Sequence, residues 1–245
     1  MTQLYHLAFP ESPHAEVAIL PGDPGRVEAI ARHLQKPRFF AQNREYTSWL
    51  GEHNGRNILV TSTGIGGPSA AIAVEELAQS GVRTFLRVGT CGGMAERVCG
   101  GDIVVATAAI RAEGTSREYL PIEFPAVADF DVTTALIAAA QSLGAMYHAG
   151  VVQSKDSFYG QHSPERMPVS HELEQKWSAW LRGGALASEM ECAAVFTVAQ
   201  ALGLRAGAVL GVLWNQERRR LGLPDATGDA DLAIRTVVAA AQALA

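Results

Sequence analysis

Cysteine is scarce in this chain. Its three, Cys91, Cys99 and Cys192 among 245 residues, form neither a metal-ligand spacing nor a disulfide framework, so a reducing, cytoplasmic setting is expected. Long apolar runs are missing too. No segment reaches the roughly 20 apolar residues of a membrane helix, and the first residues carry no basic cluster or apolar stretch of a signal peptide. Positive charge is not in excess: 20 Lys and Arg stand against 25 Asp and Glu, a formal net charge of −5 at pH 7. That leaves no electrostatic basis for gripping nucleic acid or an anionic bilayer, and any anion site has to come from local arginines. Repeats, low-complexity tracts and linkers are absent as well, so residues 1–245 read as one domain.

What the chain has is glycine in patterned places. Between Ile58 and Met94, the apolar run Ile58-Leu59-Val60 passes through Gly64, Gly66 and Gly67 into apolar residues at Ile72, Leu77 and Ala78 that stop at Gly81. The pattern predicts strand, glycine turn and helix, with Pro68 in the first helical turn, Ser69 as a cap-type residue and Gly81 at the left-handed C-terminus. A second strand, Thr84 to Val88, follows and is expected to end in a glycine loop, Gly89 to Gly93. In open α/β sheets the carboxyl ends of strands hold the ligand, which makes Arg87 and Thr90 candidates for a small polar substrate. The glycine spacing fits neither a phosphate loop with Gly-Lys-Ser/Thr nor the dinucleotide pattern G-x-G-x-x-G.

Taken in order, a first strand, Val17 to Leu20, runs into Pro21-Gly22-Asp23-Pro24-Gly25-Arg26. Gly22 allows close backbone approach, and Arg26 stands in the first turn of a helix carried on by Val27, Ile30, Ala31 and Leu34, an arrangement that attracts anions. Arg44 begins a strand-like run to Gly51, and Asn54-Gly55 signals a hairpin. Further strands are expected over Gly101–Ala108 and Tyr147–Ser154, with an irregular cover over 111–130 and a helix over Asp131–Gly144. The loop Lys155 to His162 gathers a cation, two aromatics, an amide and an imidazole; an aromatic face can stack on a base, and Gln161 can both donate to and accept from a pyrimidine edge. Trp177 and Trp180 on a helix over 171–182 read as packing residues. At Leu186–Ala194 a strand, turn and helix carry Glu189 and Glu191. Carboxylates suit a ribose diol or a glycosidase-type acid pair, although residues two apart alternate in direction. A last strand, Ala206 to Trp214, gives way to a charged loop, Arg218-Arg219-Arg220, read as a solvated face, and a helix over Asp229–Leu244. Alternating strands and helices give an α/β fold, a single domain with a central mixed β-sheet flanked by helices.

Six blocks, LPGDPGRVEAIA, NREYTSWL, TSTGIGGPSAAIAVEELAQSGVRTFLRVGT, LPIEFPAVADF, KDSFYGQH and ASEMECAA, occur here in order. Through them the chain resembles the nucleoside phosphorylase family, in its pyrimidine branch of uridine phosphorylases. The resemblance implies reversible phosphorolysis of uridine, and of deoxyuridine, to uracil and (deoxy)ribose 1-phosphate in pyrimidine salvage. It implies inorganic phosphate as co-substrate and no organic cofactor. Phosphate would be held by Gly22, Arg26, Arg87, Thr90 and, from a neighbouring subunit, Arg44. The ribose would be held by Met190, Glu191 and the neighbour's His6, and the base by Phe158 and Gln161. Family members are homo-oligomers, hexamers built as trimers of dimers, and Glu45, Ile65 and Ser69 match a monovalent-cation (K+) site between subunits in some of them.

Two departures bear on the base. Where the better-known enterobacterial pattern has an arginine two residues after the glutamine, this chain has Ser163, and its last strand ends Asn215-Gln216 rather than Asn-Arg. Lys155 and His162, the latter as a protonated imidazole, are the expected substitutes, with Arg166 the competing donor. A purine nucleoside phosphorylase is the alternative within the fold, and the aspartate it would need in the last-strand loop is missing. A hydrolytic nucleosidase and a catalytically silent nucleoside-binding homologue are the other readings.

Overall fold

The computed structural model describes residues 4–245. β1 (Ala15–Pro21) and α1 (Val27–Ala31) lead into β2 (Gln35–Asn43), β3 (Tyr46–His53) and β4 (Arg56–Thr61), which pair antiparallel in turn. Next come α2 (Gly67–Gln79), β5 (Thr84–Gly93), β6 (Ile103–Ala112) and the two-residue β7 (Ala126–Val127). α3 (Phe130–Ser142), β8 (Tyr147–Lys155), α4 (Phe158–His162), α5 (Ser170–Arg182) and β9 (Ala187–Glu189) follow. α6 (Cys192–Ala201), β10 (Arg205–Asn215), α7 (Gln216–Arg220) and α8 (Asp231–Leu244) complete the order. Among the described residues no helix is long and apolar enough to cross a membrane.

The strands form one mixed sheet in the order β10-β6-β8-β9-β5-β1-β4-β3-β2, with β7 on β6 and a further pairing of β10 with β5. That pairing closes β10, β6, β8, β9 and β5 into a ring, and β1, β4, β3 and β2 extend the sheet outward from β5. Strand alternation then decides what faces what. Ala18 and Leu20 of β1 join α2 and α6 in one buried cluster, while Val17 and Ile19 join α1, α3 and α8 in a second on the opposite face. Helices thus flank both sides of the sheet, as expected.

The local differences have physical causes. β5 does not stop at Val88 in a glycine loop; it continues to Gly93, pairing Gly92 and Gly93 with Ser188 and Ala187 of β9 and with Trp214 and Asn215 of β10. A Cβ on Gly93 would lie 2.8 Å from the Asn215 amide nitrogen and 2.9 Å from the Val98 carbonyl, so Gly93 permits a crowded strand junction rather than a turn. α1 ends at Ala31, and the chain turns at once into β2, an edge strand hidden in the sequence by Lys36, Pro37 and Arg38, residues that edge strands tolerate. Arg44 lies not at a strand start but in the β2–β3 turn, with φ +53°. The Asn54-Gly55 hairpin forms as expected, both residues at positive φ. Ser69 does not cap α2, whose N-cap is Gly66. The arginine run is the helix α7, capped by the Asn215 side chain.

Candidate active site

Arg87 projects from β5 into the interior and is only 3% exposed. Gly89 makes room for it, because a Cβ there would stand 2.8 Å from its guanidinium. A guanidinium removed from water needs anionic partners, and it has two. Glu189 Oε2 accepts from Nε at 3.1 Å, and Glu191 Oε2 accepts from Nη2 at 2.5 Å. The two carboxylates therefore converge, contrary to the alternation expected of residues two apart, because Met190 forms the bend where β9 stops and α6 begins. Glu189 is locked further by the Ser154 hydroxyl and by the backbone N–H groups of Glu191 and Cys192. Glu191 takes the Gly66 N–H at 2.7 Å, so the glycine turn ahead of α2 braces it.

Burial pushes the Glu189 carboxyl up, but Arg87, Ser154 and the backbone donors outweigh it and hold the group below the usual range. Glu191 moves the other way: burial, reinforced by the charge of Glu189, raises it in spite of Arg87. Burial works against the charge of Arg87 as well, yet the two carboxylates raise its pKa further and keep it cationic. Its Nη1 is buried with no hydrogen-bond partner among the described residues. Thr90 lies further along the same strand. The Gly22 loop packs against the glycine turn, Gly64 N–H donating to the Gly22 carbonyl at 3.0 Å. Arg26 sits in the same loop with its Nε 3.7 Å from Asp23, and Asp23 itself caps the Gly25 N–H.

Beside this centre lies a wall of amides. Lys155 Nζ donates to Ser188 Oγ at 2.7 Å, and that hydroxyl lies 2.6 Å from Gln153 Oε1 and 2.5 Å from Gln161 Oε1. One hydroxyl proton serves one of the two amide oxygens at a time, so the Gln161 amide is poised to exchange partners. Gln161 Nε2 donates to Gln216 Oε1 at 3.1 Å, which gives the residue standing in place of the second arginine a clear task. Phe158, His162 and Trp214 form an aromatic column with ring spacings of 4.3 and 5.3 Å. A cavity of about 850 Å³ opens on this wall, lined among others by Lys155, Gln161, Gln216, Trp177 and Trp180. The two tryptophans therefore do not fill the core: α5 buries no residue fully, and Trp177 Nε1–H donates to Glu217.

The protonation states differ from expectation. Burial, with the Lys155 charge nearby, lowers His162 to about 4, so at neutral pH its imidazole is neutral and not the cationic donor. Lys155 is lowered by burial to about 8 against the pull of Glu189 and Glu191, and is therefore still mostly protonated at pH 7. Arg166 does not share this position; it is exposed, with its guanidinium 5.8 Å from the Tyr159 ring centroid. The cation at the amide wall is Lys155.

His6 and Arg44 are gathered in a cluster at the surface. The Tyr5 ring lies 4.7 Å from the His6 ring, and the Arg44 guanidinium 5.9 Å from the Tyr5 ring. Glu45 joins Ser69 close by through a 2.7 Å hydrogen bond, and Ile65 is largely exposed.

A family model described as the phosphorylase superfamily matches residues 16–244. The chain belongs to that superfamily. It is 52% identical to the uridine phosphorylase of Treponema pallidum (strain Nichols) over 241 residues, 98% of this chain and 93% of the relative. It is 43% identical to the uridine phosphorylase of Escherichia coli (strain K12), over 99% of this chain and 98% of the relative. A guanosine phosphorylase of Halorubrum lacusprofundi is 44% identical over 86% of this chain and 83% of its own. The buried centre of this chain is built on a strand arginine, Arg87, between two carboxylates. Sequence reasoning missed three of its supports: Glu189 as the fixed counterion, Ser188 as the hub of the amides, and Gln216 as the partner of Gln161. The signal for the first was available, since Glu189 and Glu191 flank a bend.

If Lys155 is the donor at the amide wall, kcat declines as pH rises through about 8, where Lys155 loses its proton. His162, neutral at these pH values, adds no limb near its ordinary pKa of about 6.5. A pH profile of kcat for wild type and Lys155→Met checks this: the limb near 8 disappears in the variant, and a wild-type profile flat from about pH 7 to about pH 9 contradicts the assignment.

Proposed function

We propose that the protein catalyses the reversible phosphorolysis of uridine, and of deoxyuridine, to uracil and the corresponding pentose 1-phosphate, in pyrimidine salvage. The observation that carries the reading is the buried Arg87 with one uncommitted N–H group, set between a carboxylate suited to sugar hydroxyls and a lysine-bearing amide wall suited to a uracil edge. Phosphate binds through Arg87, Arg26, Thr90 and the Gly22 backbone. Glu191 and Met190 receive the ribose. Gln161 takes the uracil edge, releasing Ser188 or Gln216, with Phe158 and the neutral His162 against the ring. As the glycosidic bond lengthens, positive charge builds on the ribose and negative charge spreads over the uracil, and Lys155 stabilises the leaving anion. One donor placed in this way contributes on the order of 10²- to 10³-fold in rate. No organic cofactor enters.

A purine substrate is disfavoured by the last-strand loop, which offers no aspartate at Asn215-Gln216 and where Asn215 is fully buried and spent on the Ala95 and Val98 carbonyls. We further propose a homo-oligomer, a hexamer built as a trimer of dimers, in which each copy lends His6 and Arg44 to its neighbour. This reading is supported by the surface position of both residues. Glu45, Ser69 and the Ile65 carbonyl would hold a monovalent cation at that boundary. They fit one: all three offer oxygen, and the Ser69 hydrogen bond keeps the Glu45 carboxyl below its usual range and ionised. The three free cysteines suit a cytoplasmic enzyme.

Uridine, deoxyuridine, thymidine and inosine, assayed with and without phosphate, test the activity. Uracil release is expected only with phosphate; release at a similar rate without it would move the protein to the hydrolases. Mixing inactive Arg44→Ala with inactive Arg87→Ala subunits under conditions of exchange should restore part of the activity. No recovery despite proven exchange would count against shared sites.

A further inference from the structure

Glu76 lies on α2 and is 7% exposed, yet among the described residues no Lys or Arg pairs with it. Its two oxygens are turned wholly onto the N-terminal segment. The His6 backbone N–H reaches them at 2.9 and 3.0 Å, the Leu7 N–H reaches Oε2 at 2.8 Å, and His6 Nδ1 lies 2.7 Å from Oε1. On the other side Asn43 Nδ2 donates to the His6 carbonyl at 2.7 Å. A tether alone would need only the backbone bonds. The contact to Nδ1 adds something a tether does not require: a carboxylate there holds the proton on Nδ1, fixes the plane of the ring, and leaves Nε2 as the ring's outward atom. The His6 side chain is 28% exposed, so part of the ring reaches the protomer surface.

We infer that Glu76 is a positioning residue for His6, fixing the ring plane and tautomer with which His6 meets the 5′-hydroxyl of a nucleoside bound in the neighbouring copy. The inference rests on the role proposed above for His6. In the neutral ring Nε2 carries a lone pair and accepts the hydroxyl proton. α2 then serves two sites at once: the Gly66 N–H at its start holds Glu191 of its own site, and Glu76 further along holds the histidine given to the next. Changing Glu76 to glutamine replaces one of two acceptor oxygens with an NH2 group, so the His6 N–H, the Leu7 N–H and Nδ1–H can no longer all be satisfied.

The readout is the ratio of kcat/KM for uridine to kcat/KM for 5′-deoxyuridine, which lacks the hydroxyl in question. Wild type favours uridine, and His6→Ala brings the ratio close to one. Glu76→Gln is expected to lower kcat/KM for uridine roughly tenfold, to leave 5′-deoxyuridine nearly unchanged, and to add nothing in the His6→Ala background. Equal losses on both substrates, or a wild-type ratio in Glu76→Gln, would show a mere tether and overturn the inference. A wild-type ratio in His6→Ala would overturn the role of His6 first, and the role of Glu76 with it. Should Glu76→Gln accumulate poorly, Glu76→Asp, which draws the carboxylate back by one methylene, lowers the same ratio, and an unchanged ratio there is equally decisive.

Discussion

A charged guanidinium lies in the dry interior of this protein, and much of the architecture follows from keeping it neutralised. Removing one partner from a buried ion pair costs about 3–5 kcal/mol, so Arg87 binds its surroundings to a narrow geometry. It needs Gly89 beside it, a bend at Met190 that turns two carboxylates the same way, and the Ser154 hydroxyl to keep the farther one ionised. The ring closure of β5 on β10 and β9 brings these pieces together.

Glu189 and Glu191 are not equivalent in this arrangement. Glu189 is saturated by fixed donors and stays an anion, whereas Glu191 is held by one backbone N–H and by Arg87 and is pushed toward its protonated form. Glu191 is therefore the partner that can change its bonds. On the function proposed above, a second anion arriving at Arg87 would take over part of the compensation and free Glu191 for neutral hydroxyl donors. Anion binding and sugar binding would then be two halves of one charge balance.

Much of this was legible in the sequence, and the failures are instructive. The βαβ unit from Ile58 to Val88 and the Asn54-Gly55 hairpin are local signals, and they formed as local chemistry dictates. Residues 89–93 misled because glycine serves both turns and crowded strand junctions, and only the pairing with β9 and β10 distinguishes the two. β2 was hidden because an edge strand with one exposed face needs few apolar residues. The charge state of His162 was out of reach for a related reason: its burial and its nearness to Lys155 are tertiary facts, and they reverse the prediction from its ordinary pKa. The convergence of Glu189 and Glu191 likewise depends on the backbone bend and not on spacing.

The link between the two halves of the site can be measured directly. The affinity of a carbon-linked uridine analogue, whose glycosidic bond phosphate cannot cleave, is determined by calorimetry with and without phosphate. Transfer of Arg87 from Glu191 to phosphate predicts that phosphate tightens the analogue at least roughly fivefold, and that Glu191→Gln reduces this gain. An affinity that phosphate leaves unchanged or weakens would contradict the account.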